Sequence, residues 1–324
     1  MRICVIGAGA MGSAFGGLLA RAGNEVTLID TWAEHVDAIR AEGLQVEGAL
    51  GSFRVEVRAE REAPPGLQAE AAIVWCDANH TAQAARTAAL VLGAEGVAIT
   101  LQNGIGNVEA LIDALGEARV AGGSSMASAA MRGPGRPALT HLGLSSIGEL
   151  DGRTSARIER LREAFAGAGL PVAVHPDIRA VIWTKFALNC SINALCAASG
   201  LRLGEVARLP AMAHLQQRVI DEVLAVTAAK GMKLEYPDFR ATVTAHCRKK
   251  YSRPSMLQHI EAGRRTEIGA LNARLVEEGA RLGVATPYND ALTCLLRGVE
   301  HKRSEAAGRT EADYAALERA AGGS

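Results

Sequence analysis

Short apolar runs alternate with helical patterns through the first half of the chain. The runs have the length and the β-branched content of buried strands. They are RICVIG (2–7), EVTLID (25–30), AAIVWC (71–76) and GVAITL (96–101). Because strands that alternate with helices are typical of a parallel sheet joined by helical crossovers, this half of the chain predicts an α/β fold.

Two further patterns add strands to this fold. Residues 43–48 and 52–59 alternate apolar and polar side chains with a period of two, which predicts a hairpin inserted after the second helix. Residues 120–135 and 137–150 predict later strands that close the domain.

From about residue 179 the pattern becomes almost entirely helical. Helices are predicted at 180–200, 211–231, 238–250, 263–283 and 288–302. The change of periodicity predicts an α/β domain over 1–178, an all-helical domain over 179–303 and a tail over 304–324.

The first apolar run leads directly into GAGAMG, followed by a helical stretch over 13–21. This order predicts a dinucleotide-binding (Rossmann) unit, in which one glycine forms the tight turn, one lets the pyrophosphate approach and one lets the helix pack closely. The amides at the helix N-terminus would hold the phosphates. The candidate cofactor-binding residues are Gly7, Gly9, Ala10, Met11 and Gly12.

Asp30 ends the second predicted strand. A carboxylate at this place usually accepts from the adenosine ribose hydroxyls and repels a 2′-phosphate, so it favours NAD(H) over NADP(H). No arginine follows immediately, although Arg40 lies one helix further on and could reach in. The same aspartate could also cap the next helix, which is compatible with ribose binding.

The composition excludes several classes of partner. The 324 residues carry 35 basic and 35 acidic side chains, which leaves no electrostatic signature of nucleic-acid or anionic-membrane binding. No run of eighteen apolar residues occurs, and a strand at residue 2 leaves no room for a cleaved secretory segment. The scattered cysteines and histidines lack metal-ligand spacing and fit reduced thiols in a cytoplasmic protein.

The segment WTKFALNCSINAL (183–195) carries Lys185, Asn189 and Asn193 at successive steps of four. In an α-helix each such step advances about 40° around the axis and roughly 6 Å along it, so the three side chains would form one polar stripe. The surrounding residues are apolar, so these three side chains need polar partners for their hydrogen bonds. A small carbonyl substrate and an adjacent helix are both candidates.

Three more residues are candidates on weaker grounds. Asn103 follows the strand over 96–101, at the carboxyl edge where open α/β sheets bind ligands, although an Asn-Gly pair is also an ordinary turn. Ser255 and Glu267 stand before and within the predicted helix over 263–283. A solvated glutamate on a helix surface is the simpler interpretation of Glu267.

Taken together, these segments resemble the ketopantoate reductase (2-dehydropantoate 2-reductase) family. The similarity extends from GAGAMG to about residue 300 and rests on ordered motifs. They are QNGIGN (102–107), THLGLSSIGEL (140–150), WTKFALNCSINAL (183–195), SMLQ with GRRTEI (255–268) and GVATPYN (283–289). The resemblance implies a Rossmann domain joined to an all-helical domain, with NADP(H) as the alternative cofactor and pantothenate biosynthesis as the expected context.

The resemblance also implies roles for individual residues. Lys185 is then the general acid and Glu267 pairs with it, while Asn189, Asn193 and Ser255 hold the substrate's oxygens. Asn103 bridges cofactor and substrate, and Glu267 is also expected at the cofactor. These residue types suit the reduction of a 2-keto acid, since hydride transfer leaves negative charge on the ketone oxygen and an ammonium can stabilise that charge and donate a proton.

Two departures from the family pattern bear on the substrate. Asp77 stands where a lysine is common, and His259 replaces an acid in SMLQH. Together with Asp30, they leave open an NADH-linked reductase of another 2-keto acid. An opine-forming or β-hydroxyacid dehydrogenase would also fit the scaffold, and a non-catalytic dinucleotide sensor is the least favoured interpretation. A homodimer is compatible with the sequence.

Overall fold

The structure, a computed structural model, describes residues 1–306. The predicted tail begins at 304, so its residues 307–324 lie outside the described part. The chain forms two compact units. The first contains Met1–Phe186 and Gly231–Pro237, and the second contains Ala187–Lys230 and, among the described residues, 238–306.

The first unit contains an eight-stranded sheet. Its strands are β1 (Arg2–Ile6), β2 (Glu25–Ile29), β5 (Arg58–Glu60), β6 (Ala69–Val74), β7 (Leu92–Thr100), β8 (Val120–Ser125), β11 (Ser145–Glu149) and β12 (Val172–Val174). They lie in the order β12-β11-β8-β7-β6-β1-β2-β5. From β8 to β5 all neighbours are parallel, whereas β11 is antiparallel to β8. The parallel part has the strand order of a Rossmann fold and confirms the predicted α/β class.

The sheet is buried on both faces, which explains why its strands are continuous apolar runs rather than alternating ones. In β1, Ile3 and Val5 belong to the core on one face, and Cys4 and Ile6 belong to the core on the other. Helices cover these faces: α1 (Ala10–Arg21), α2 (Ala33–Glu42), α3 (Thr81–Val91), α4 (Asn107–Leu115) and α5 (Ala156–Gly167).

A smaller four-stranded sheet contains β3 (Leu44–Gly48), β4 (Phe53–Val55), β9 (Ser128–Gly133) and β10 (Arg136–His141), in the order β4-β3-β10-β9. The antiparallel pairing of β3 with β4 confirms a hairpin, but its predicted second strand over 52–59 is too long, because β4 ends at Val55 and the chain then joins the large sheet as β5. Each of the two later strand segments predicted from the sequence divides into two strands. One member of each pair, β8 and β11, joins the large sheet, and the other joins the small one.

The division between units differs from the predicted boundary at 178. That residue begins helix α6 (Ile178–Cys190), and its first turns pack on the large sheet. A Cβ atom at Gly122 of β8 would lie only 3.0 Å from Ile178, and one at Gly148 of β11 only 3.1 Å from it. Because these glycines allow the helix to approach the strands closely, the start of α6 belongs with the sheet.

The second unit is helical, as predicted. Its remaining helices are α7 (Asn193–Ser199), α8 (Leu203–Val206), α9 (Pro210–Ala229), α10 (Phe239–Lys249), α11 (Ser255–Glu261), α12 (Asn272–Leu282) and α13 (Pro287–Ala306). The single helix predicted over 180–200 is wrong, because α6 ends at Cys190 and α7 begins at Asn193. The helix predicted over 263–283 begins only at Asn272, and the short helices α8 and α11 were not predicted.

The helix break at Ser191 and Ile192 has a tertiary cause. The Cys190 carbonyl accepts from the Asn272 side chain at 3.0 Å, and the Ser191 carbonyl accepts from the Gln216 side chain at 3.2 Å. In a continuing helix, backbone amides four residues further along would take these carbonyls. Since buried side-chain amides supply the hydrogen bonds instead, the chain can leave the helix there without an unsatisfied group.

The segment Ile178–Ser199 is long and apolar enough to pass a composition test for a membrane-crossing helix. Core helices of soluble proteins pass the same test, and 78% of its apolar window is buried within the protein. The segment is therefore only weak evidence for a membrane span.

Candidate active site

The glycine turn, residues Gly7–Gly12, connects β1 to α1 at the carboxyl edge of the large sheet. Gly7 has φ +89°, and a Cβ atom there would lie 2.4 Å from the Cys76 amide nitrogen. A Cβ atom at Gly12 would lie 2.2 Å from the Gly7 carbonyl oxygen. Both positions therefore require glycine for backbone conformation and close packing, as the fingerprint predicts.

Gly9 differs from the other two glycines of the turn. Its backbone is extended (φ −65°, ψ −159°), and a Cβ atom there would meet no other atom within 4 Å. Gly9 is also the N-cap of α1 and provides no side-chain cap. The open space beside an uncapped helix N-terminus fits the approach of a pyrophosphate group. The structure brings the five candidate cofactor residues of the glycine turn together here.

Asp30 follows β2 at the same edge of the sheet and is partly exposed. Its carboxylate accepts from the Trp32 amide at 2.9 Å, so it forms a turn at the strand end. Arg40, which the sequence left as a possible phosphate ligand, donates to the Ala59 carbonyl at 2.8 Å and forms an ion pair with Glu60. These two contacts hold the Arg40 side chain against β5.

Glu60 is the backbone neighbour of Asp30, because Ile29 and Glu60 are partners in the β2–β5 pairing and the Asp30 amide donates to the Glu60 carbonyl at 3.1 Å. Hydrogen bonding from Arg58 is the main cause that holds the pKa of Glu60 below its usual range, and Arg40 acts in the same direction. Because both arginines form ion pairs with its carboxylate, Glu60 adds no uncompensated negative charge at this edge, and Asp30 supplies that charge.

Lys185 lies in α6 and is half-buried. Its ammonium group donates to the backbone carbonyl of Ser125, the last residue of β8. The Ser125 hydroxyl is itself hydrogen-bonded to the Ser145 hydroxyl at 2.9 Å and accepts from the Ala127 amide at 3.2 Å. The structure therefore places the predicted general acid at the carboxyl end of a sheet strand, within the same compact unit as the glycine turn.

Asn103 follows β7 and is half-buried, and a network of buried side chains holds its backbone. Its backbone carbonyl accepts from the Asn107 side-chain amide at 3.0 Å, and the side-chain oxygen Oδ1 of Asn107 accepts from the Thr81 hydroxyl at 2.9 Å. Gln102 donates to that hydroxyl at 3.0 Å and to the Cys76 carbonyl at 2.7 Å.

Sequence reasoning did not select Gln102, Asn107 or Thr81. The signal in the sequence is a polar residue directly after a predicted buried strand, and in the structure Gln102 is only 9% exposed. A buried amide must find hydrogen-bond partners, so its position predicts a polar network. This network joins the ends of β6 and β7 to the starts of α3 and α4 and fixes the course of the chain at Asn103.

The remaining predicted residues belong to the second unit. Asn189 lies in the last turn of α6, one step of four after Lys185, and is half-buried. Asn193 begins α7 and is 5% exposed, so the helix break interrupts the predicted stripe before it. Ser255 begins α11.

Glu267 lies outside any helix, and this corrects the prediction that it belongs to a helix over 263–283. It is half-buried in a turn, where its carbonyl accepts from the amides of Ala270 at 3.0 Å and Leu271 at 3.1 Å.

The two departures from the family pattern have distinct settings. Asp77 is exposed and caps a single 3₁₀ turn, Ala78–His80, where its carboxylate accepts from the Asn79 amide at 2.9 Å. Its charge therefore has a local structural use. His259 lies half-buried within α11.

A small cavity in the first unit lies between the Gly104–Glu109 segment and the residues Arg179, Ile182 and Trp183 of α6. Lys185 and Asn103 are not among its lining residues. Within residues 1–306, no group of three His, Cys, Asp or Glu side chains is placed to hold a metal ion. The carboxyl edge of the large sheet, rather than the cavity, carries the predicted residues of the first unit.

Comparison with known proteins gives consistent matches along the chain. Residues 3–152 match the family model described as ketopantoate reductase PanE/ApbA, and residues 177–300 match the model of its C-terminal part. The 2-dehydropantoate 2-reductase of Archaeoglobus fulgidus is 31% identical over 300 residues, which cover 92% of this chain and 98% of that protein.

Solved structures agree with these matches. A PanE/ApbA family ketopantoate reductase from Ralstonia eutropha JMP134 is similar with a TM-score of 0.85 and 32% identity, over 94% of this chain and 100% of that one. A ternary structure of D-mandelate dehydrogenase with NADH and anilino(oxo)acetate is similar with the same TM-score and 28% identity, over 94% and 100% of the two chains.

Proposed function

Because the chain belongs to the ketopantoate reductase family, we propose that it reduces a 2-keto acid to the 2-hydroxy acid with NADH as the preferred cofactor. It is a nicotinamide-dependent oxidoreductase that acts on a small molecule. One observation carries the proposed mechanism: the ammonium group of Lys185 is held by the Ser125 carbonyl at the carboxyl end of β8. The cytoplasmic location and a homodimer stay predictions from the sequence.

The residues of the first unit suit a dinucleotide. The open space at Gly9 and the amides at the start of α1 would hold the pyrophosphate, and Asp30 would accept from the adenosine ribose. When bound, the reduced nicotinamide supplies the hydride. We assign the preference for NADH to Asp30, whose carboxylate opposes a 2′-phosphate, and to Arg40, whose ion pair with Glu60 competes with phosphate binding.

Lys185 is the proposed general acid. An ammonium group near the ketone oxygen stabilises the negative charge that develops there and can donate the proton that completes the alcohol. Its hydrogen bond to Ser125 restricts the long side chain, so less entropy is lost when the substrate binds. Asn103, Asn189, Asn193, Ser255 and Glu267 keep the roles that the family resemblance implies.

A specific feature favours a second candidate substrate class. Met126 is 55% exposed and Leu144 is 50% exposed, and the Met126 amide donates to the Leu144 carbonyl at 2.9 Å. Met126 directly follows Ser125, whose carbonyl holds Lys185. Large exposed apolar side chains close along the backbone to the carbonyl that holds Lys185 suit a 2-keto acid with an apolar substituent, and the D-mandelate dehydrogenase relative was solved with anilino(oxo)acetate.

A panel of 2-keto acids assayed with NADH and with NADPH tests the proposal through the loss of nicotinamide absorbance. It should contain ketopantoate, an aromatic 2-keto acid and small aliphatic ones. We expect Lys185→Ala to lower kcat by about two to four powers of ten, the usual contribution of general acid catalysis, while NADH binding is retained. The exposed Lys249, at the end of α10, provides the control variant Lys249→Ala.

Unchanged turnover in Lys185→Ala would remove the general-acid assignment. Activity only in the presence of an amine co-substrate would favour an opine-forming enzyme, and cofactor binding without turnover of any keto acid would favour a sensor.

A further inference from the structure

We propose that His35 is a positioning residue for the glycine turn, acting through the hydroxyl of Ser13 to orient the backbone that meets the cofactor. The inference rests on the proposed dinucleotide binding and concerns two residues outside the predicted site. His35 lies in α2 and Ser13 in α1, and each is 0% exposed. Neither side chain can therefore reach a cofactor directly.

The hydrogen bonds of the His35 ring fix where its proton lies. The Gly135 amide donates to Nδ1 at 2.9 Å. Because a backbone amide can only donate, Nδ1 carries no proton, so the proton of the neutral ring is on Nε2. Nε2 is 2.9 Å from the Ser13 hydroxyl and donates to it. The hydroxyl in turn donates to the Ala8 carbonyl at 2.5 Å.

This chain of donors ends on the peptide between Ala8 and Gly9. In a planar trans peptide the carbonyl and the following N–H point in opposite directions. Holding the Ala8 carbonyl on Ser13 therefore turns the Gly9 N–H to the opposite side of the same peptide. The Ser13 amide also donates to the Gly9 carbonyl at 2.9 Å, so Ser13 fixes the peptides on both sides of Gly9. Gly9 is the position at which the pyrophosphate is expected.

The surroundings of the ring favour its neutral form. Burial lowers the pKa of His35 and outweighs the carboxylate of Asp30, which raises it. Trp32 stacks on the ring, with centroids 5.1 Å apart and planes inclined by 12°. The ring makes two hydrogen bonds with different roles. The bond with the Gly135 amide connects α2 to the turn between β9 and β10, and the bond with the Ser13 hydroxyl acts on the glycine turn.

Two substitutions separate these hydrogen bonds. The amide nitrogen of glutamine can reach the position of Nε2, so His35→Gln keeps a donor for Ser13 and loses the acceptor for Gly135. The amide oxygen of asparagine can take the position of Nδ1, so His35→Asn keeps the acceptor and loses the donor. Both variants should lower the urea midpoint, since each leaves one buried group without its partner.

The cofactor readout distinguishes positioning from general stability. We expect His35→Asn to raise the KM for NADH about tenfold, the equivalent of one lost hydrogen bond, with kcat changed less than about twofold. In His35→Gln the KM should stay within about threefold of wild type. Ser13→Ala, which removes one oxygen, should match His35→Asn, and the double variant Ser13→Ala/His35→Asn should add nothing, because both act on one path. His246→Asn, in the second unit, is the control.

Equal KM values in His35→Asn and His35→Gln would overturn the inference, as would an additive double variant. If His35→Asn does not fold, Ser13→Ala decides, and a wild-type KM in that variant also overturns it. If no 2-keto acid supports NADH oxidation by the wild type and a fluorescence titration shows no NADH binding, the proposed function and this inference are overturned together. Wild-type turnover with insensitive variants overturns only the role of His35.

Discussion

An alanine at Gly9 should separate cofactor binding from folding within the glycine turn. The backbone of Gly9 is in the extended region, which any residue can adopt, and the added methyl would meet no atom within 4 Å. We therefore expect no loss of stability in the absence of cofactor. A gain of about 0.4–1 kcal/mol is expected, because alanine restricts the unfolded chain more than glycine does.

The same methyl occupies the space at which the pyrophosphate would approach. Overpacking a well-fitted contact costs about 1–3 kcal/mol. At about 1.4 kcal/mol for each factor of ten, the Kd for NADH should rise roughly 5- to 150-fold. Stability and binding should thus move in opposite directions.

Gly12→Ala is the matched control, since it adds the same methyl to the same turn. Its Cβ would lie 2.2 Å from the Gly7 carbonyl oxygen and 3.1 Å from Val5. Backbone of the glycine turn must move to relieve this contact, so we expect a loss of about 1–3 kcal/mol or more in the free energy of unfolding, together with weakened NADH binding.

Urea unfolding without cofactor and fluorescence titration with NADH measure the two quantities separately. The reasoning is refuted if Gly9→Ala binds NADH as tightly as the wild type, because the cofactor then does not approach the turn at this residue. It is also refuted if Gly12→Ala is as stable as the wild type, because the close contact of α1 with Gly7 then does not constrain the fold.

Three further predictions follow from the described contacts. Asp30→Ala should lower kcat/KM for NADH roughly 10-fold or more, as expected for a lost hydrogen bond to a charged group, and should reduce the ratio of kcat/KM for NADH to that for NADPH. A wild type that prefers NADPH contradicts this assignment. Gln102→Leu should lower the free energy of unfolding by about 1–3 kcal/mol, because the Cys76 carbonyl and the Thr81 and Thr100 hydroxyls lose a hydrogen-bond partner. An unchanged urea midpoint would refute a stabilising role of this hydrogen-bond network. Acid should destabilise the protein below about pH 6.5, because burial lowers the pKa of His35 in the folded state and the unfolded state then binds more protons. His35→Gln should flatten the dependence of the urea midpoint on pH, and an equal slope in both proteins would contradict the buried neutral ring.

The sequence by itself determined the features that depend on local spacing. The apolar runs became the parallel strands because each is buried on both faces, and GAGAMG became the glycine turn because Gly7 and Gly12 occupy positions where a side chain has no room. The hairpin of β3 and β4 followed from its period of two. These features need only the geometry of neighbouring residues, so a pattern over a few positions contains them.

Tertiary structure decided the features that depend on partners far apart in the chain. The helix over 180–200 was interrupted because Asn272 and Gln216 take carbonyls that a longer helix would have used. Lys185 is anchored by a carbonyl sixty positions away, and His35 is held by an amide one hundred positions away. No local pattern encodes such hydrogen bonds, because their partners become neighbours only when the sheet and helices pack, and burial then makes each of them obligatory.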